Sequence, residues 1–154
     1  MSKAIVVGVD GSDASDEALR WAAEEARLRS APLVAVYAWS FIPPQPLGDP
    51  GMLAVPAGDI AGQLDAESAS AREALAEAVG TALGADPGVE VEQKLVEGDP
   101  GDVLVAESET AELVVVGSHG RSGLKAALLG SVSRHVVSHA ACPVVVVKSL
   151  SSDD

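Results

Sequence analysis

Three glycines and a serine stand at fixed intervals near the C-terminal end of the 154-residue chain, Gly117-x2-Gly120-x9-Gly130-Ser131, within the stretch GSHGRSGLKAALLGS. The stretch follows an apolar run that reads as a strand and opens a segment with helical spacing. Glycines lacking Cβ let backbone N–H groups come close to an anion, and a Gly-Ser pair at a helix start adds a hydroxyl and unpaired amides where the helix dipole is positive. The chemistry implied is the cradling of phosphate. Charge points the same way: from Leu113 to Ser152 there is no Asp or Glu, yet Arg121, Lys125, Arg134, Lys148 and all three histidines fall there. Residues 1–112 carry 21 acidic against 6 basic side chains. A chain of formal charge −13 thus keeps one segment free of negative charge, and that segment holds the glycines.

The elements that must position this segment follow from hydrophobic patterning. Residues 4–9 (AIVVGV) are a short β-branched run closed by Asp10-Gly11-Ser12, a buried strand ending in a polar loop. Asp13, Asp16 and Glu17 then suit a helix N-terminus, and Leu19, Ala22, Ala23 and Ala26 keep helical spacing to about Ser30. LVAVYAW from Leu33 to Trp39 reads as a second strand. Residues 40–58 contain five prolines and several glycines and read as a loop, a lid or partner surface. A long helix is expected from about Asp59 to Leu83 on Leu64, Ser68, Ala71, Leu75, Val79 and Leu83. Val89, Val91, Gln93 and Leu95 alternate with charged residues, a third strand at or near a sheet edge. Asp99-Pro100 starts a short helix ending near Ala111. LVVV at 113–116 is a fully apolar strand, a helix spans about Ser131 to His139, Pro143 stops it, and VVVV at 144–147 is the last strand. Strands alternating with helices predict an α/β fold: an open five-stranded parallel sheet with helices on both faces. Ligands of such sheets bind beyond the carboxyl ends of the strands, where Asp10 and Gly117 both lie.

Length fits a single domain, taken as residues 1–150 with a short tail at 151–154. A lone cysteine, Cys142, excludes a disulfide framework and a multi-cysteine zinc site. The N-terminus shows no signal-peptide layout and no apolar run reaches the roughly 20 residues of a membrane span, so a cytoplasmic protein without a membrane partner is expected. The acidic balance opposes nucleic-acid binding. Neither a P-loop motif nor G-x-G-x-x-G occurs, which argues against P-loop hydrolysis and a dinucleotide enzyme.

The glycine spacing resembles the nucleotide signature of the universal stress protein family, in its ATP-binding branch. The likeness extends to IVVGVDGSDAS at the start, VYAWS at the end of the second strand, and the run from Leu113 through VVVV. It implies a Rossmann-like sheet of the adenine nucleotide alpha hydrolase type, with strand order 3-2-1-4-5. It also implies ATP as ligand, Mg2+ (or Mn2+) held mainly through its phosphates, and a homodimer formed through Val144 to Val147. Carried over, Asp10 takes the ribose hydroxyls, the backbone at Val9 and Ala38 meets adenine, and Gly117, Gly120, Gly130, Ser131, Val132 and Ser133 hold the phosphates. Arg121, inside the glycine segment, joins the set as a phosphate contact.

Other polar residues read more plainly. Ser12 and Ser15 are taken as helix caps, His119 as solvent-facing, and Cys142 as a small buried apolar residue. His135 and His139 stand four apart without a third ligand nearby in sequence, so no metal site is assigned. Trp39 reads as packing or as the border of the adenine pocket. No carboxylate falls in the glycine segment to serve as general base, so no catalytic residue is assigned. The expectation is a nucleotide-dependent stress-response regulator. The alternatives are a slow ATPase or phosphotransferase, or a dimeric interaction module that works without nucleotide.

Overall fold

The computed structural model describes residues 2–42, 57–119 and 129–149. Among the described residues nine elements follow in chain order: β1 (Ile5–Gly8), α1 (Asp13–Arg29), β2 (Leu33–Trp39), α2 (Ala57–Leu83), β3 (Val91–Glu97), α3 (Pro100–Ser108), β4 (Leu113–Gly117), α4 (Ser131–His139) and β5 (Val144–Val147). The strands form one parallel sheet in the order β3-β2-β1-β4-β5. From β1 the chain steps outward through β2 to β3, then crosses back past β1 to β4 and on to β5. Strand order therefore reverses at β1 and β4, which lie side by side with Ile5 opposite Leu113 and Val7 opposite Val115.

Alternation along the strands divides the interior into two layers. Ile5, Val7, Leu33, Ala35, Leu113 and Val115 face the layer shared with α1 and α2, which is filled by Leu19, Ala22, Ala26 and Leu75. Val6, Val34, Val36, Val114 and Val116 face the other, against Val103 and Leu104 of α3 and Val136 of α4. Helices thus cover both faces, which is why β1, β2 and β4 can be continuously apolar. β3 is an edge strand whose residues are half-buried or exposed. It begins at Val91, two residues later than Val89, because Gly88 turns the chain at φ +68° and the first bond to β2 is Leu33 N–H to Glu90 C=O.

Local chemistry sets the helix ends. Ser12 caps α1 by accepting the Ser15 N–H, and the helix stops at Ser30, whose φ of 52° lets Ala31 N–H return to Ala26 C=O. Asp99 caps α3 through the N–H groups of Gly101 and Asp102, with Pro100 in the first turn. α3 ends at Ser108, three residues short of Ala111. The Ser108 hydroxyl donates to Val105 C=O and accepts Ala141 N–H, and the next two amides close tight i to i+3 turns. Of the proline-rich loop at 40–58, residues 43–56 lie outside the described residues, as do Gly120, Arg121 and Lys125.

Candidate functional site

At the reversal point the ends of β1, β2 and β4 open a cavity of about 190 Å3. Its walls form a sequence across the sheet. On the β2 and α3 side stand apolar groups: Val36, Tyr37, Ala38, Pro100 and Leu104. The turn after β1 supplies Val9, Asp10 and Ser12 in the middle, and Gly117, His119 and Val132 form the β4 and α4 side. A flat apolar group therefore fits at one end and a polar one at the other, with a carboxylate between them.

Asp10 is held by an Asx turn: its Oδ1 accepts the Ser12 N–H at 2.9 Å and the Ser12 hydroxyl at 2.5 Å. Its own N–H donates to the hydroxyl of Ser15, which is 4% exposed. Ser12 is thus both the cap of α1 and the clamp on Asp10, whereas Ser15, expected as a cap, instead ties the Asp10 turn to the helix. Val9 N–H donates to Val36 C=O at 2.9 Å, which ties the backbone at the cavity's edge to β2.

Gly117 lines the cavity, and its missing Cβ serves a second purpose. A Cβ there would lie 2.9 Å from the carbonyl carbon and Cβ of Ala14 and 3.0 Å from its oxygen, so α1 rests directly on the end of β4. Gly130 begins α4 without a side-chain cap, so among the described residues no N-cap side chain takes up the amides of the first turn. The Gly130 N–H donates to Ser118 C=O at 2.8 Å and closes the two ends of the glycine segment on each other. Ser133, buried, donates its hydroxyl to Ser118 C=O and Gly130 C=O, both at 3.1 Å, and does not line the cavity. Of the residues expected in the site, Val9, Asp10, Ala38, Gly117 and Val132 line the cavity. Gly130, Ser131 and Ser133 sit at the adjoining helix start, and Gly120 and Arg121 lie outside the described residues.

Three further readings change with the geometry. His119 is half-buried in the cavity wall rather than solvent-facing, its Nδ1 sharing a 3.0 Å hydrogen bond with the Ser118 hydroxyl. Trp39 does not line the cavity; Tyr37 and Ala38 do, because the β2–β1 register ends at Val36 opposite Gly8 and Trp39 lies well beyond it, beside Glu97 of β3. Cys142 is half-buried rather than buried, and burial pushes its thiol pKa up, which disfavours thiolate chemistry. His135 pairs with Asp102 across α3 and α4 (2.9 Å) and stacks on His139, ring centres 4.5 Å apart. No group of three His, Cys, Asp or Glu able to hold a metal ion occurs among the described residues. Tyr37, Pro100 and Leu104 carry no sequence signal of a site; they are brought there by the sheet order.

No helix among the described residues is long and apolar enough to cross a membrane. A five-stranded parallel sheet with its cavity at the point of strand reversal defines a doubly wound α/β protein, an architecture in which ligands are bound at that point. The chain belongs to the universal stress protein family, whose model matches residues 1–148. A universal stress protein of Mycobacterium tuberculosis is 39% identical over 153 residues, covering 94% of this chain and 48% of the relative; the chain spans about half the length of most of the curated relatives it matches. Among solved structures, the universal stress protein UspA from Lactobacillus plantarum matches with a TM-score of 0.70 at 25% identity, covering 94% of this chain and 97% of that one. A universal stress protein in complex with cAMP matches at 0.59 and 27% identity, covering 96% and 98%. One from Archaeoglobus fulgidus in complex with dAMP matches at 0.54 and 29%, covering 95% and 98%.

Proposed function

We propose that this chain binds an adenine nucleotide in the cavity at the ends of β1, β2 and β4, and that its ligand is ATP accompanied by Mg2+ or Mn2+. The observation that carries the reading is the order of the walls. The apolar β2 and α3 side suits a base, the clamped Asp10 carboxylate suits a pair of ribose hydroxyls, and the uncapped start of α4 suits phosphate. Related structures in complex with cAMP and dAMP support the adenine end of this assignment. The described lining offers one carboxylate, so a divalent ion is held chiefly by the nucleotide's own phosphates and offsets the charge of an acidic chain.

The chain acts as a nucleotide-dependent regulator in the cytoplasm. Its second copy pairs along β5. That strand ends the sheet, and its bonds to β4 run through the carbonyls of Pro143 and Val147, so by alternation the backbone groups of Val144 and Val146 point away from β4. An apolar edge of this kind calls for cover, and a second β5 related by a two-fold axis provides it. Ser118 joins edge and site, since its N–H donates to Val147 C=O while its C=O receives the start of α4. Heating the purified protein and identifying the released nucleotide, followed by calorimetric titration with ATP, AMP and cAMP, tests the reading. No released nucleotide and no heat of binding for any of the three would refute it.

A further inference from the structure

We propose that His119 contacts the phosphate chain of the bound nucleotide and sets how strongly the protein prefers ligands with more phosphates. The inference rests on the adenine-nucleotide reading and adds a residue to it. Among the described lining residues only His119 can carry positive charge, and Asp10 is the one carboxylate. His119 stands on the β4 and α4 side of the cavity with Gly117 and Val132, opposite the apolar wall of Tyr37, Ala38 and Pro100. A histidine stacking on the base would belong on that apolar side.

The ring is held for this purpose. Its Nδ1 is taken by the Ser118 hydroxyl at 3.0 Å, so Nε2 is the nitrogen left for a ligand. Ser118 is itself immobile: it is 5% exposed, its N–H donates to Val147 C=O, and its C=O accepts both the Gly130 N–H and the Ser133 hydroxyl. When the serine donates to Nδ1, the neutral ring carries its proton on Nε2 and presents a donor; when protonated, the ring presents a donor and a charge. Both states suit an anionic oxygen. Each added phosphate raises the ligand's charge, and the benefit of His119 grows with it.

Calorimetric titration of the full chain with adenosine, AMP, ADP and ATP, on wild type and on His119→Gln and His119→Ala, tests the assignment at constant pH and Mg2+. ATP affinity is expected to fall about 10-fold in both variants, the loss from one hydrogen bond to a charged group, while adenosine affinity changes less than about 2-fold. His119→Arg restores most of the ATP affinity. An unchanged ATP affinity, or equal losses for adenosine and ATP, overturns the assignment, the second outcome placing His119 on the base or ribose. Retained adenosine binding in the variants shows that the nucleotide reading survives in either case. Failure of wild type to bind all four ligands overturns both. Unfolding temperatures within a degree or two of wild type confirm that the variants are folded.

Discussion

Replacing Gly117 by alanine separates the two tasks that fall on this residue. The added Cβ would sit 2.9 Å from the carbonyl carbon and Cβ of Ala14 and 3.0 Å from its oxygen, against 3.4–4 Å for ordinary contact, so α1 and the end of β4 must part by about half an ångström or more. The obstructing atoms are backbone and the stub of a side chain, and no rotamer change relieves them. Ala14 and Ala18 are buried in the same helix face, so the shift disturbs a packed layer. Overpacking of this kind costs about 1–3 kcal/mol. For a chain of this length each kcal/mol lowers the unfolding temperature by roughly 2–4 °C, so Gly117→Ala is expected to melt about 2–12 °C below wild type with no nucleotide present. Differential scanning calorimetry of ligand-free protein, with urea titration as a second measure, reads this directly. Nucleotide affinity should fall as well, because α1 carries the Ser12 and Ser15 hydroxyls that position Asp10. An unchanged unfolding temperature together with lost ATP binding would refute the packing argument and return Gly117 to a purely ligand-facing role.

Asp10→Asn keeps an oxygen for the Ser12 clamp and removes the charge; ATP and adenosine affinity should both fall about 10-fold, and equal affinity for either ligand would remove Asp10 from the site. Asp16→Asn tests a carboxylate whose pKa is raised above 3.8, first by burial and then by Asp13, Asp10 and Glu17 against the pull of Arg20. Its Oδ1 is buried without a hydrogen-bond partner among the described residues. The fold favours its protonated form, so its stabilising contribution is present at low pH and is lost as pH rises through the raised pKa. The variant should melt above wild type at pH 7, with the gap closing toward pH 3.5, and a gap independent of pH would count against the argument. Val146→Pro removes an outward-facing donor of the β5 edge without touching the bonds to β4, and light scattering should then show a monomer where wild type is a dimer. A dimer in both would place the interface elsewhere.

Much of the fold is legible in the sequence because local patterns and the global arrangement agree. Apolar runs in β1, β2 and β4 announce strands covered on both faces, the charged alternation of β3 announces an edge, and Asp99-Pro100 announces the start of α3. The candidate site is legible only in part, for a physical reason. Asp10, Gly117 and Val132 stand beside strand ends and helix starts, where pattern locates them. Tyr37, Pro100 and Leu104 reach the cavity because strand order brings distant segments together, and a single sequence carries no mark of that.

Gly117 shows the difficulty most clearly. Its position in a phosphate-binding spacing suggests that hydrogen stands in for Cβ so that a ligand can approach, yet the atoms that forbid a Cβ belong to Ala14, over 100 residues earlier in the chain. Helix approach and ligand approach make the same demand on a residue type, and only the neighbours distinguish them. The two demands are also coupled. Because α1 can settle on the end of β4, the Asp10 turn comes to face the start of α4 across one cavity, so a glycine fixed by packing is what brings a carboxylate and an uncapped helix start within reach of the same ligand.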